Sequence, residues 1–438
     1  MTLIYRRITY SIFIIIFLIA APTVILYTQG YRFNFEKGRI QKTGILVISS
    51  VPRRADIFLN GKKIENKTTP ARLENILPAD YEIKLAKNGY HDWNKRLTVL
   101  ENSSTFAEKI LLWKNSLPSN IINQDFFDYE PSWDRQQAAI ITGSHQLILM
   151  DFSQNKTREL ADLKQYSSAK IIGWSKSDKK IILKVAGKQE TYLIFNTEVL
   201  VKEDPVIIPA SYQTLKWDES SDNLVYGLKQ KNLWQFDLFS KKEKMIAQNI
   251  IGDFWIQNNS LFYFTTTGLY KKLINKKSPA VLLDKNRCDG CRFLAEKKSR
   301  LFILDDNNQK LQIIDTAGKI RPIIAEAKNL DWLNNDVLLF YNNWELWIYD
   351  LNKKEPELIT RVGEPLTQAL WHTQRRHIIF TTDKKISIIE LDNRELRNVI
   401  TLANPEELRK ITLDYRGRKI YFWGKQKDQT GLFELPLQ

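Results

Sequence analysis

Eight large apolar residues recur along the chain at nearly even intervals: Trp133, Trp174, Trp217, Trp255, Phe293, Trp332, Trp371 and Leu413, spaced 41, 43, 38, 38, 39, 39 and 42 residues apart. Most precede a short polar turn and a run of β-branched residues, as in GWSKSDKKIIL from Gly173, LKWDESSDNLVY from Leu215 and ALWHTQRRHIIF from Ala369. This period constrains the fold more than any other feature. A lone unit of about forty residues cannot bury its apolar face, so it must pack on copies of itself. Strand-like content at that period predicts a β-propeller of four-stranded antiparallel sheets.

The units repeat four strands. AKIIGW ends at the anchor, KKIILKV follows the turn, TYLIFNT, LWQFDLF and LWIYDL supply third strands, and RELADL, KEKMIAQNI and ELRNVITL supply fourth strands. The last unit ends at GLFELPL without a fourth strand of its own, while LPSNIINQ, Leu117 to Gln124, has fourth-strand character upstream of the first anchor. Borrowing that strand closes the ring and gives eight blades, with seven as the alternative if the Phe293 or Leu413 unit is degenerate. The anchors are read as wedges between neighbouring blades, where one aromatic side chain buries about 150–250 Å².

WSKSDKKIIL, WDESSDNLVY and LDYRGRKIYF resemble the WD-repeat-like blade of TolB-type propellers, whose typical form is Trp-Ser-Pro-Asp-Gly-Lys before an apolar strand. The resemblance implies architecture and little about function, since propellers serve many chemistries.

Upstream, ITYSIFIIIFLIAAPTVILY, Ile8 to Tyr27, is 20 residues without a charge. At 1.5 Å per residue it spans a hydrocarbon core of about 30 Å. The alternative is a cleaved signal peptide, but the apolar stretch is longer than such segments usually are, and cleavage after Ala21 puts Pro22 next. An uncleaved anchor over residues 1–30 is the expectation. Arg6 and Arg7 precede the helix while Arg32, Lys37, Arg39 and Lys42 follow it. Large folded domains cross membranes largely regardless of such charges, so the bulk of the chain is expected outside the cytoplasm, at the cell membrane.

After a linker at 31–43 comes a small β domain at 44–113, opening with GILVISSVPRRADIFLNGKKI, in which Asn60-Gly61 is a strong hairpin turn. Tyr81, Ile83 and Leu85 alternate as a half-buried strand does, Asn88-Gly89 makes another turn, and FAEKILL closes the domain. The pieces ILVISSVP, Pro52-Arg53-Arg54-Ala55, DIFLNGKK, Thr69-Pro70 and AKNGYHDW resemble the PEGA domain, although Arg53 and Arg54 replace the Glu-Gly of its name. The resemblance implies a β-sandwich-like module of surface or envelope proteins, with a structural or adhesive role and no catalytic residues. The expected fold is therefore mainly β: a transmembrane helix, the PEGA-like domain as stalk, and the propeller over 114–438.

The formal charge is +15, from 65 Lys and Arg against 50 Asp and Glu. The basic residues are scattered through turns instead of forming a block, which argues against nucleic acid as partner. Cys288 and Cys291 in RCDGC are the only cysteines. A structural zinc site needs four ligands and no second pair exists, so a local disulfide is favoured, with free thiols as the other reading. His91, His145, His372 and His377 fall in expected turns or strand starts without metal spacing, and Asp305-Asp306-Asn307-Asn308 lacks calcium-loop spacing. No cofactor, metal or catalytic constellation is expected. The leading expectation is a binding platform for an envelope protein, peptide or polysaccharide; the alternatives are a propeller hydrolase or lyase with a channel-mouth site, and a passive surface-layer protein.

Overall fold

The computed structural model describes residues 3–35, 37–199, 203–208, 211–274, 276, 278–285, 287–288, 290–316, 323–353 and 355–438. Among them are one helix and 41 strands. Contacts divide the chain into two units: Met1–Ser116 with Glu390–Leu402 and Gln438, and Leu117–Ile389 with Ala403–Leu437. Residues 390–402 group by contact with the N-terminal unit, although Val399–Ala403, which begins among them, is the fourth strand of the sheet that begins at Gln368–Trp371, as the repeat predicts.

In the first unit the helix Leu3–Thr28 is apolar on all sides. Within it the most apolar 18-residue window has a mean hydropathy of 2.4 and none of that window is buried by protein, so the segment Ile4–Thr28 is long and apolar enough to cross a membrane. A signal sequence meets the same criterion. Residues 31–43, expected as a linker, instead form a hairpin, Tyr31–Asn34 paired with Arg39–Lys42. Gly38, at φ 61°, supplies the left-handed residue its turn needs.

The β domain that follows has a four-stranded and a three-stranded sheet. Alternate residues of Gly44–Val51 point inward, and Leu46, Ile48, Ile57, Ile83, Leu85, Trp93 and Val99 share one core. Asn60 and Gly61 take φ of 48° and 76°, the two positive values a type I′ hairpin requires. Lys95, with no exposed side-chain surface, is paired with Glu390 and also donates to the Asp392 carbonyl at 2.7 Å. The Trp93 indole donates to the same Glu390 carboxylate at 2.9 Å, so this buried cation is compensated.

The second unit contains eight four-stranded sheets. Their first strands are Phe126–Pro131, Ser168–Trp174, Thr214–Trp217, Ile251–Gln257, Cys291–Lys297, Asn329–Trp332, Gln368–Trp371 and Glu407–Leu413. Seven sheets use four consecutive strands, and the eighth takes Ser119–Ile122 against Gln429–Pro436, with Ser119 opposite Glu434 and Ile122 opposite Leu432. Successive sheets share apolar cores from the first to the sixth. Asp331 accepts the Trp371 amide at 2.9 Å between the sixth and seventh, and Gln368 accepts the Ile411 amide at 3.0 Å between the seventh and eighth. Tyr129, Ile140, Tyr421 and Leu432 then join the eighth sheet to the first. The sheets form a closed ring, and at five of the eight junctions the first strands of neighbouring sheets touch, which places those strands near the axis.

One turn explains the recurring polar words. In SKSD the Ser175 amide donates to Lys180 O and the Asp178 amide to Ser175 O, with Asp178 at φ 60°. Ser132–Arg135, His372–Arg375 and Asp414–Gly417 repeat the pattern, with φ of 59°, 61° and 72° at their last residues. It is a tight turn ending in a left-handed residue, which feeds the next strand in register. Where glycine is the easy choice, Asp178 instead uses its carboxylate: Oδ1 and Oδ2 accept the Trp133 and Asp134 amides at 2.8 and 3.0 Å across the gap to the neighbouring sheet.

Candidate functional site

The eight anchors separate into two groups in the ring. Trp174, Trp217, Trp332, Trp371 and Leu413 end their first strands opposite Ile181, Val225, Leu338, Ile378 and Ile420, each the second residue of the next strand. In the other three sheets that position belongs to Pro131, Ile256 and Glu296, opposite Ala138, Leu261 and Leu301. Trp133 therefore lies two residues late, in the turn; Trp255 lies one residue early, on the opposite face of its strand; Phe293 lies three residues early.

Trp174 and Trp217 act as the repeat requires, whereas the indole nitrogens of Trp332 and Trp371 are buried without a hydrogen-bond partner among the described residues. Trp174 is buried between the first and second sheets, and its indole N–H donates to Glu130 O at 3.0 Å. Trp217 does the same one sheet on, donating to Gly173 O at 3.1 Å. A large ring fills the gap while its polar edge closes a main-chain acceptor of the neighbour.

The displaced tryptophans do something else. Trp133 is 65% exposed. Even so it is held: its amide is bound by Asp178 and its indole N–H donates to Trp174 O at 3.2 Å. With its donor already used, the ring offers only its faces. Lys176 stands 4.8 Å from the ring centroid. Trp133, Trp174, Trp217, Phe254 and Trp255 line a recess of about 220 Å³ among the first strands of the first four sheets. Lys216 runs along its wall, bound to Asp253 at 2.6 Å and to Phe254 O at 2.8 Å, so that cation is neutralised. Most of the lining is aromatic carbon, with a few polar groups to orient a ligand.

Glu219 stands on the rim between this recess and a second one of about 360 Å³ that Tyr226, Gln235 and Asn258 help to line. Surrounding protein raises the Glu219 carboxyl above the usual carboxylate range; Lys176 and Lys297 oppose the shift, while Asp218 and Glu296 add to it. Burial likewise raises Glu296, against the pull of Lys271. Glu219, Lys176 and Glu296 belong to the third, second and fifth sheets, so these charges look into one space at the axis. Asp331 on the sixth sheet is raised by burial and drawn back by the Trp371 amide and by the positive charge of Arg135.

Other residues singled out in the sequence lie apart from the recess. Cys288 and Cys291 are disulfide-bonded, with Cα atoms 5.4 Å apart, at the start of the first strand of the fifth sheet, which opens with Cys291. Asp305 approaches them closely enough to form a three-residue ligand group, but sulfurs bonded to each other are not thiolate donors. Asp305 instead accepts the Asn307 and Asn308 amides at 3.1 Å, making the acidic run a hairpin loop. His372, which opens a turn as expected, is fully buried: its Nε2 meets Gly417 O at 2.8 Å and its Nδ1 accepts the Gln374 amide at 3.3 Å. The recess lysines and Glu219 were not marked by the sequence, because nothing in a polar turn distinguishes a residue facing the axis from one facing solvent.

The comparisons with known proteins follow this division. Residues 43–111 match the PEGA domain. The PEGA match covers the two-sheet domain of the first unit. For the ring, the C-terminal WD40 domain of Sif2 is a structural neighbour, with a TM-score of 0.52 and 13% identity over 73% of this chain and 98% of that domain. At that identity the likeness establishes the WD40-like β-propeller fold alone. Sqt1 of Saccharomyces cerevisiae superposes with a TM-score of 0.48 and 8% identity over 74% of this chain and 99% of that one. No curated relative matches the sequence.

Proposed function

We propose that the protein is a single-pass, membrane-anchored binding protein of the cell envelope, whose propeller captures a protein, peptide or glycan at the tryptophan recess. The PEGA domain is its structural stalk, and the bulk of the chain lies outside the cytoplasm. The observation that carries this reading is Trp133, a largely exposed indole held by its amide and its Nε1 before any ligand arrives. Exposed apolar surface costs solubility, and rigid tryptophans are the residues on which binding energy concentrates. A ligand that stacks on a ring already fixed loses little conformational freedom in the process.

The anchor is supported by the bare apolar helix and by Pro22 directly after Ala21 within it. Protease treatment of intact cells tests the orientation: the second unit should be digested, and complete protection refutes the extracytoplasmic placement. For the site, a photo-crosslinking amino acid at position 133 should trap a discrete partner in intact cells. The same group at the 90% exposed Phe239 serves as the control. Equal, diffuse labelling from both positions refutes the recess as the binding site.

A hydrolytic reading has one observation in its favour, the raised carboxyls of Glu219 and Glu296 beside Lys176 and Lys297. A carboxyl whose proton is held more tightly than usual is suited to act as a general acid. If the trapped ligand is a glycan or peptide and is cleaved on incubation, loss of cleavage in both Glu219→Gln and Glu296→Gln makes the protein an enzyme; an intact ligand leaves it a binding module.

A further inference from the structure

The hairpin that follows the helix has one face covered and one bare. Phe33 lies directly opposite Ile40, and Tyr31 opposite Lys42, so these four share a face. Phe33 is 48% exposed, Ile40 56% and the adjoining Phe35 88%, with the two phenylalanine rings edge-on at 5.0 Å. The opposite face is bound to protein: Asn34 and Gln41 are buried, and the Arg32 guanidinium donates to Asn75 Oδ1 at 2.8 Å.

Two further observations say what covers the bare face. The hairpin starts at Tyr31, three residues past the helix end at Thr28, and three residues reach at most about 10 Å. Arg32 holds it there, stacking 3.7 Å over the Tyr27 ring and donating to Tyr27 O at 2.9 Å and Tyr31 O at 2.8 Å. Residues 31–43 also carry Arg32, Lys37, Arg39 and Lys42 against the single acid Glu36. Apolar rings, tyrosines and cations within one short reach of a membrane-spanning helix are the chemistry of the bilayer interface.

We propose that this hairpin is a second membrane contact, with Phe33, Phe35 and Ile40 seated at the boundary of headgroups and acyl chains while Lys37 and Lys42 engage anionic headgroups. The inference rests on the reading of Leu3–Thr28 as an anchor. It converts a single flexible attachment point into a footing with a fixed direction, because a helix and a hairpin touching the same leaflet at two places resist tilting.

The full-length chain tests this in nanodiscs of phosphatidylcholine with or without phosphatidylglycerol. An environment-sensitive fluorophore is attached through Phe35→Cys, and in a separate chain through Ile15→Cys as the helix-centre reference. With nitroxide-labelled lipids, the label at 35 should lose at least half its emission to quenchers near the headgroups and little to those near the chain ends. The label at 15 should show the reverse. Lys42→Glu combined with Lys37→Glu should abolish the extra quenching that phosphatidylglycerol produces at 35. A water-like label at 35 beside a deeply quenched label at 15 overturns the hairpin contact and leaves the anchor standing; water-like labels at both positions overturn the anchor and the hairpin together. A dry label at 35 that no lipid quencher reaches assigns the face to a protein contact, such as a second copy, and also overturns the proposal. Unchanged lipid dependence in the charge-reversed chain removes the anionic headgroup from it.

Discussion

Replacing Gly431 by alanine is the most direct test of how the ring closes. Gly431 lies in Gln429–Pro436 at φ 155°, and a Cβ built there falls 1.9 Å from the Ile122 carbonyl oxygen, 3.0 Å from its carbon and 3.3 Å from the Gln124 nitrogen. All three are main-chain atoms of the closing segment, so no side chain can swing aside. The strained backbone alone costs about 1–3 kcal/mol for a residue other than glycine. Relief requires the strand Ser119–Ile122 to move away from its partner. That also forfeits burial of Ile122, worth about 1.5–3 kcal/mol, and net hydrogen bonds of about 1 kcal/mol each. With one hydrogen bond lost the total, about 3.5–7 kcal/mol, is a large share of the 5–15 kcal/mol that stabilises an ordinary domain. Denaturant unfolding of the full chain in detergent, followed by tryptophan emission, should show a markedly lower midpoint, and limited proteolysis should expose a new cut between Leu117 and Gln124. Gly363→Ala is the control, since nothing stands within 4 Å of its added carbon. If both variants unfold at the same denaturant concentration and neither gains the cut, the two terminal segments of the ring do not close it.

Three further outcomes follow from the sheet junctions. Trp174→Ala should cost about 3–5 kcal/mol, since it empties a buried wedge and leaves Glu130 O without its indole donor; a thermal shift within error of the parent would deny the wedge. Asp178→Ala should lose about 1–3 kcal/mol with the two amide contacts to Trp133 and Asp134, whereas Asp178→Gly, relieved at φ 60°, should lose about 1 kcal/mol less. Equal losses would mean that the left-handed turn is not strained. His372 titrates below the ordinary histidine range because burial disfavours the imidazolium, against the raising pull of Gly417 O and Asp414. Its contribution is therefore complete above the unfolded histidine value near 6.5 and declines as pH falls toward the folded value. Stability measured from pH 8 to pH 5 should fall less steeply in His372→Gln than in the parent, and parallel curves would refute the buried neutral ring.

The repeat was legible because each unit carries alternating or continuous apolar runs between polar turns, and side-chain alternation survives in any sheet. Its phase was less legible. Aligning on the nearest aromatic puts Trp133, Trp255 and Phe293 beside Trp174, but the pairing register puts Pro131, Ile256 and Glu296 there. Size marks a residue as a wedge only if the turn after it has the same length, and Gln257–Ser260 and Lys297–Arg300 are tighter turns than Ser175–Lys180. The recess is assembled partly from these out-of-phase tryptophans, so the same irregularity that blurred the repeat builds the candidate site. The hairpin at 31–43 had a visible signal, Gly38 between two alternating runs, that was outweighed by its neighbourhood to the helix. The fourth strand read in ELRNVITL is there, as Val399–Ala403, but nothing in the sequence marks the preceding Glu390 as the partner of Lys95 and Trp93.

The pairing of Ser119 with Glu434 spans 315 positions along the chain. While the polypeptide is being synthesised, the first of these segments exists long before the second, and the neighbouring edge on Gln429–Pro436 is the last of the ring to be made. Every intermediate before that moment carries a gap with two unsatisfied borders. Such a long-range pairing is slow to find and open to capture by other strands in the meantime. For a chain led by a helix that can enter a bilayer at once, residence at the membrane would begin well before the circle is complete, and a holding factor that shields open sheet borders would shorten that exposed interval.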